Sequence, residues 1–255
     1  MRPVGLVLEH LWTWYRRNWR ATVVSSVLMP LMFLGAMGFG LGSRITPGPA
    51  THYLPYVVYL APAMLVALAV QVATGESSFP VLGSFKWDMR YFAITSTPVS
   101  VDQLLTAQAL WVALRILVSG LAYLAVAALF GAFTNAGALL GVPVAMLAGM
   151  AFGSWVLALA ASVNDEGVTF GNVFRFVVVP MTLFAGTYYP ISQLPAWSRP
   201  LAWVTPLWHG NELARAVEFG GMDGLTALGH VGYLLVLTAG GLLVARHRFH
   251  VRLKV

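Results

Sequence analysis

The sequence has no cysteine, so disulfides, thiolate nucleophiles and thiolate metal sites are excluded, and the redox compartment leaves no trace in it. Charge is scarce as well: Asp, Glu, Lys and Arg make up 9% of the 255 residues, against roughly a quarter in soluble domains. So few charges cannot cover a water-facing surface. With 58% hydrophobic residues and a mean hydropathy of +0.76, the composition points to a lipid bilayer. Reactive constellations are also missing. There is no GxxxxGK[ST] phosphate loop, no HExxH, no GxSxG, and no pair of carboxylates at helical spacing deep in an apolar run. The histidines at 10, 52, 209, 230, 247 and 250 are scattered, and ligands must cluster to hold a metal, so no metal site is expected. Nor is a cleavable leader expected, since Arg16, Arg17 and Arg20 follow no short apolar run with a small-residue end. No internal repeat or soluble domain is visible. The chain reads as a single unit that carries no catalytic site and binds no nucleotide of its own.

What the sequence does have is long apolar stretches. A membrane-spanning helix needs about 20 mostly apolar residues, and this criterion predicts six spans, at about 21–43, 54–75, 103–130, 138–162, 169–187 and 224–245. The third and fourth are divided by GAFTNAG, whose glycines and Asn135 favour a turn. Lys and Arg set the orientation. With both termini in the cytoplasm, that side holds Arg2, Arg16, Arg17, Arg20, Lys86, Arg90, Arg246, Arg248, Arg252 and Lys254, and the outside only Arg44, Arg199 and Arg215. The net charge of +6 is therefore a topology and lipid-headgroup signal, not a nucleic-acid patch.

Ahead of the first span, Val4, Val7, Leu8, Leu11, Tyr15 and Trp19 recur at helical spacing, with Glu9, His10, Thr13, Arg16, Arg17 and Arg20 opposite. This is the pattern of an amphipathic helix over about 4–20, lying in the inner interface or extending into the cytosol. Between spans two and three, segment 80–102 is the largest cytoplasmic piece. Pro80 and Gly83 are expected to stop the second helix, and Ser100 with Gln103 forms a capping box that starts the third. Between them SFKWDMRYF alternates apolar and polar residues. The alternation favours a strand, yet a lone strand has no partner, so a short interfacial helix fits equally. Its large side chains with Lys86, Asp88 and Arg90 form a charged knob, suited to a partner or to membrane-surface anchoring.

Three further features stand out. Arg115 and Arg175 fall inside spans three and five, where a charge is costly and faces a bundle interior, a partner or a watery cavity; Arg175 is near enough to the interface to snorkel instead. Glu76 is placed at the inner end of span two, interfacial or paired with a base, and Asp165–Glu166 sit where they would cap span five. Small-residue pairs at Gly38/Gly42 and Gly149/Gly153 allow close helix approach, within the chain or between subunits. Finally, GTYYPISQLPAWSRPLAWVTPLWHG, 186–210, punctuates an apolar helix with prolines and tryptophans. The prolines forbid a continuous helix. Two helical pieces, about 192–201 and 207–219, make a partly submerged hairpin at the outer leaflet, or else a surface loop with aromatic anchors.

The stretch PMTLFAGTYYPISQLPAWSRPLAWVTPLWHGNELARA, 180–216, resembles the signature region of permease subunits of ABC-2-type exporters. The similarity extends to RNWRATVVSSVLMPLMFLGAMGFGLG and GESSFPVLGSFKWDMRYFAITSTPVS, covers most of the chain, and is strongest to the nodulation-factor and daunorubicin-resistance branch. The resemblance implies an all-α membrane protein of six spans with an N-terminal interfacial helix and a re-entrant region at 188–219. It implies that Phe85, Lys86, Trp87, Asp88, Met89, Arg90 and Tyr91 couple to a separate ATPase subunit, present in two copies and holding ATP and Mg. Tyr188, Tyr189, Pro190, Trp197, Trp203 and Trp208 fall in its outer gate, and the permease pairs with a second copy or a paralogue. SVNDEGVTFGN, 162–172, is more polar and glycine-rich than the family pattern and leaves the start of span five open. From the residues themselves, Phe33, Tyr56 and Tyr59 suit either packing or the lining of a path for an amphipathic drug, glycolipid or lipo-oligosaccharide. The rival reading is a proton-coupled secondary carrier using Glu76, Arg115 and Arg175, against which stand the lack of an acidic relay and of an inverted repeat.

Overall fold

The computed structural model describes residues 2–24, 28–133 and 135–254. Among these the fold is all helical, with no strand. The helices are α1 (Arg2–Val23), α2 (Met29–Gly35, continued in a wider π-helical turn Ala36–Leu41), α3 (Tyr56–Ser77), α4 (Phe79–Lys86), α5 (Arg90–Thr95) and α6 (Val101–Leu129). They continue with α7 (Gly137–Ala160), α8 (Val168–Val173), a π-helical stretch Phe174–Val178, α9 (Val179–Phe184), α10 (Arg199–Trp203), α11 (Pro206–Phe219) and α12 (Gly224–Leu253).

Among the described residues, four helices are long and apolar enough to cross a membrane: α3 with α4, α6, α7 and α12. The fifth expected span, Val168–Phe184, is apolar but shorter, reaching roughly 25 Å at 1.5 Å per residue against a hydrocarbon core of about 30 Å. In the first, residues 25–27 lie outside the described residues. Helices α3, α6 and α7 cover most of the apolar stretches 54–75, 103–130 and 138–162, while α12 runs on through the basic tail to Leu253. The capping box at the start of α6 is formed, Ser100 Oγ accepting from Gln103 N at 3.2 Å and Gln103 Oε1 from Ser100 N at 2.9 Å. Gly131, at φ 62°, makes the turn after α6 that only a residue without Cβ adopts freely.

Several expectations need correction. Gly83 does not stop the second span: the chain breaks at Ser78, Pro80 sits in the first turn of α4, and Gly83 lies inside that helix. SFKWDMRYF is not a strand but a helix end, a left-handed residue at Met89 (φ 51°) and a new helix, so its alternation comes from a bend. The piece expected at 192–201 is instead a 3₁₀ turn at Ile191–Gln193 followed by α10, whereas α11 starts where Thr205 and Pro206 predict, with Thr205 Oγ1 accepting from Trp208 N. On the apolar face of α1, Val7 is buried, with Val4, Leu8 and Leu11 packed beside it, and Trp19 is exposed.

The core is stacked in three tiers. At one end α1, α4, α5, α6, α7, α8 and α12 meet around Val7, Phe85, Tyr91, Leu157, Phe170 and Phe249. The middle tier holds Leu65, Val66, Ala69, Ala73, Ile116, Ala148 and Leu207. Tyr56, Tyr59 and Leu60 form the third, packed by Phe33 and Tyr188. Helix α3 is the axis, with 78% of its apolar window buried, while α12 with 17% is peripheral. Small residues let α7 close on α3: a Cβ on Gly149 would come within 2.9 Å of Ala69 O, and one on Gly153 within 2.9 Å of Ala73 Cβ. This pair therefore serves contact within the chain.

Candidate functional site

Helix α3 presents Leu68, Gln71, Val72, Gly75 and Glu76 along one stripe, at the i, i+3, i+4, i+7, i+8 spacing of a single helical face. Opposite, Phe174 and Val178 of the π-helical stretch and Val179, Thr182 and Leu183 of α9 form the matching stripe, and the space between is a cleft of about 540 Å³. Its walls are mostly apolar, with Gln71 and Thr182 set among them. Its far end touches Tyr188, and its near end is polar, made by Glu76 and Arg115.

That polar end is an ion pair. Arg115 Nε donates to Glu76 Oε1 at 2.7 Å, and Trp111 Nε1 donates to Glu76 Oε2 at 3.1 Å. The Tyr15 ring of α1 lies 4.5 Å from the Arg115 guanidinium carbon and meets Trp111 edge-on at 5.8 Å. A cation in an apolar bundle is tolerated when paired and stacked in this way. Arg115 is thus a charge buried inside the bundle, and Glu76 at the end of α3 is its ion-pair partner. Arg175, by contrast, is exposed, with no ion pair among the described residues.

At the other end, α11 grips the turn that ends α9. Asn211 Nδ2 donates to Ala185 O at 3.0 Å and to Thr187 Oγ1 at 3.1 Å; Arg215 Nη2 donates to Gly186 O at 2.7 Å and to Thr187 O at 3.2 Å. Spaced four residues apart, both side chains leave the same face of α11 and satisfy carbonyls that a helix end leaves bare. The Arg215 guanidinium also lies 4.3 Å from the centre of the Tyr59 ring. Tyr56 Oη donates to Tyr188 O at 3.0 Å, and Phe33 packs on the Tyr188 ring at 5.7 Å. The structure therefore brings Phe33, Tyr56, Tyr59 and Tyr188 into one aromatic cluster. Tyr56 and Tyr59 are buried in it, and Tyr188 reaches the cleft. Tyr189 and Pro190 are half-buried, Trp197 and Trp203 exposed, and Trp208 half-buried against His209 and His230.

The knob at 85–91 divides in two. Phe85 and Tyr91 are buried, edge to face at 4.8 Å, Phe85 meeting Phe249 at 4.9 Å and Tyr91 Oη donating to Gln108 at 3.1 Å. These two hold the elbow in place and leave the exposed surface to Trp87, Asp88 and Met89, with half-buried Lys86 and Arg90 at its edges. Lys86 Nζ donates to Glu166 at 2.6 Å and to Asn164 O at 2.9 Å, and Trp87 Nε1 to Glu166 at 3.2 Å. The Lys86 ammonium thereby holds the Glu166 carboxyl below its ordinary range. Asp165 does cap α8, accepting from Gly167 N at 2.7 Å and Thr169 N at 3.1 Å, and Thr169 holds its carboxyl low. Glu166 ties that turn to the elbow instead.

Gln71, Asn211 and the clamp made by Arg215 escape the sequence reading. A glutamine in the middle of an apolar span is itself a signal, whereas Asn211 and Arg215 bond to main-chain atoms, which no residue pattern reveals.

Comparison with known proteins places the architecture. The chain is similar to nodulation protein J of Sinorhizobium fredii, 28% identical over 247 residues that cover 92% of each chain. It is 26% identical to nodulation protein J of Rhizobium meliloti over 232 residues, 87% of this chain and 85% of that one. With nodulation protein J of Bradyrhizobium diazoefficiens it shares 28% over 231 residues, 87% and 86% of the two chains. Residues 4–219, from the first helix to the end of α11, match the family described as ABC-2 type transporter. The helical membrane core, its charged cleft and the gripped turn therefore belong to a member of the ABC-2 type transporter family, a membrane component of transport.

Proposed function

We propose that the chain is the permease subunit of an ATP-driven exporter that moves an amphipathic molecule, a drug, glycolipid or lipo-oligosaccharide, out of the cytoplasm or inner leaflet. The observation that carries this reading is the cleft between α3 and the Phe174–Val178 turn with α9, mostly apolar along its walls and charged at one end, in a chain of a transporter family. In this reading the first and fifth segments complete a six-span bundle in the cell membrane, with both termini cytoplasmic. The 188–219 region is re-entrant, and α11 shapes the outer exit. Two ATPase subunits, holding ATP and Mg, dock on Trp87–Arg90 and the N-terminal helix, and a second permease copy or paralogue completes the assembly.

Co-expression with the products of neighbouring genes, co-purification and an ATPase assay in nanodiscs test the proposal. A stable complex with an ATP-hydrolysing subunit is expected. Isolation of the chain alone, with substrate flux that collapses when the proton gradient is dissipated while ATP is present, would favour a proton-coupled carrier. Within the complex, the Trp87→Ala and Arg90→Ala chain is expected to keep ATP hydrolysis but lose most coupled transport. Unchanged coupling in a flux assay would remove the docking assignment.

A further inference from the structure

Away from the cleft, α6 and α12 part along the surface of the bundle. Asp102, Leu105, Thr106, Ala109, Leu110 and Ala113 lie at the i, i+3, i+4, i+7, i+8, i+11 spacing of one face of α6. Ala239, Leu242, Leu243 and Arg246 form the corresponding face of α12, Met150 of α7 completes the lining, and the groove between holds about 620 Å³. Leu110 and Leu243 are exposed along it. The groove is polar at one end only, since Thr106 Oγ1 on its wall donates to Asp102 O of its own helix at 2.7 Å. At that end Arg246 Nε and Nη2 donate to Asp102 Oδ1 and Oδ2 at 2.8 and 2.9 Å, and His250 Nε2 lies 2.8 Å from Oδ1. Asp102 and Arg246 both stay half-exposed, and Arg246 Nη1 has no hydrogen-bond partner among the described residues.

We propose that this groove seats one phospholipid of the leaflet nearest the basic tail, and that its head is a phosphoethanolamine. From Asp102 to Ala113 the groove runs about 16 Å at 1.5 Å per residue, close to half of a hydrocarbon core of about 30 Å. One acyl chain of a single leaflet therefore fits along it, with the head level with Asp102 and Arg246. Helix α12 has only 17% of its apolar window buried, so this side of the bundle meets lipid. The ion pair selects the head because it carries both signs. A lone anion drawn to Arg246 is repelled by the Asp102 carboxylate held 2.8 Å from the guanidinium, and a lone cation drawn to Asp102 meets the reverse. A phosphate joined to an ammonium by a short linker puts each charge on its opposite. The N–H groups of Nη1 donate to phosphate oxygens, and the ammonium donates to the lone pair that Asp102 retains. A choline head carries the same charges, but its nitrogen has no N–H to donate and keeps only the phosphate half of the match. Nothing in the groove depends on what passes through the cleft.

The full-length chain, purified in mild detergent, is mixed with equimolar phosphatidylethanolamine, phosphatidylcholine and phosphatidylglycerol of distinguishable mass and matched acyl length, and lipid adducts are quantified by native mass spectrometry. Phosphatidylethanolamine is expected to be retained several-fold more than either of the others. Ala239→Trp, at an exposed position on the wall, fills the groove without touching the ion pair and should remove most of that adduct. Leu139→Trp, exposed near the opposite end of α7, should leave it in place. Arg246→Gln should erase the preference among heads. Should Arg246→Gln fail to fold, Ala239→Trp decides the outcome alone. Equal retention of the three lipids, a preference for either of the other two, or a preference that survives Ala239→Trp or a folded Arg246→Gln overturns the proposal. So does equal loss of the adduct in both tryptophan variants, because the lipid is then not held in the groove. A dimer that Ala239→Trp dissociates, in place of a lipid adduct, overturns it as well and assigns the groove to a second copy of the chain.

Discussion

Arg115 shows what a single residue discloses and what it hides. A charge in the interior of an apolar run stands out in the sequence because its transfer from water must be offset. Its partner does not stand out: Glu76 lies 39 positions away at a helix end, where an acid is ordinary. Removing one member leaves the other charge buried and uncompensated, at a cost of about 3–5 kcal/mol. Glu76→Ala is therefore expected to lower the thermal midpoint markedly, and Glu76→Gln with Arg115→Met to recover most of the loss. Equal destabilisation by the single and double variants in a thermal shift assay would show that the pair is not the source. Arg215 was legible only as an outside charge, because its partners are carbonyls of the 186–187 turn, nearly thirty residues back. Arg215→Met leaves those acceptors in a buried turn without donors and is expected to cost about 1–3 kcal/mol. Arg215→Lys, which keeps the charge but not the planar fork, should recover only part of it.

Among the elements, α3 and α7 were readable from length and apolar content, and α6 and α11 also from their caps, Ser100 and Thr205 starting their helices where the sequence says. The elbow from α4 to α5 was not. Alternation in SFKWDMRYF has the period of a strand, but the left-handed Met89 reverses the chain midway and assigns Phe85 and Tyr91 to the core from two different helices. Whether a period belongs to one element or two is decided by a backbone angle that residue type does not encode for methionine. The elbow is held to the α7–α8 turn by Lys86, Trp87 and Glu166. Since Glu166 titrates below its unfolded value, the contribution of this tie is fully present above the ordinary glutamate range and is lost as pH falls through the lowered folded value. Protection of the 86–89 amides relative to their intrinsic exchange rate at each pH is therefore expected to hold from neutral pH down past the unperturbed pKa of about 4.3 and to fall only below it. Protection already lost near pH 6 would assign it to something else.

For the whole molecule, fold class and membrane habit were set by composition, and the long spans by apolar length. The fifth segment was overestimated because the turn at 185–187 is apolar too, yet it is folded back under α11 and not helical. Apolarity measures what is shielded from water, and both lipid and protein do that. Orientation is a property of the complete chain, since the Lys and Arg excess is summed over every loop. Affinity tags at the N- and C-termini are expected to be accessible from the same, cytoplasmic face in sealed inverted vesicles. Tags reached from opposite faces would mean an odd number of crossings and would invert half of the assignment.

The contact between Tyr15 and Arg115 makes the first helix and the cleft parts of a single equilibrium. Lifting α1 strips a ring from a guanidinium that the cleft also shares. Linkage is reciprocal: if a molecule in the cleft strengthens that stacking, then holding α1 down must strengthen the binding of that molecule by the same factor. Movement of the first helix and occupancy of the cleft can thus inform each other through one aromatic ring.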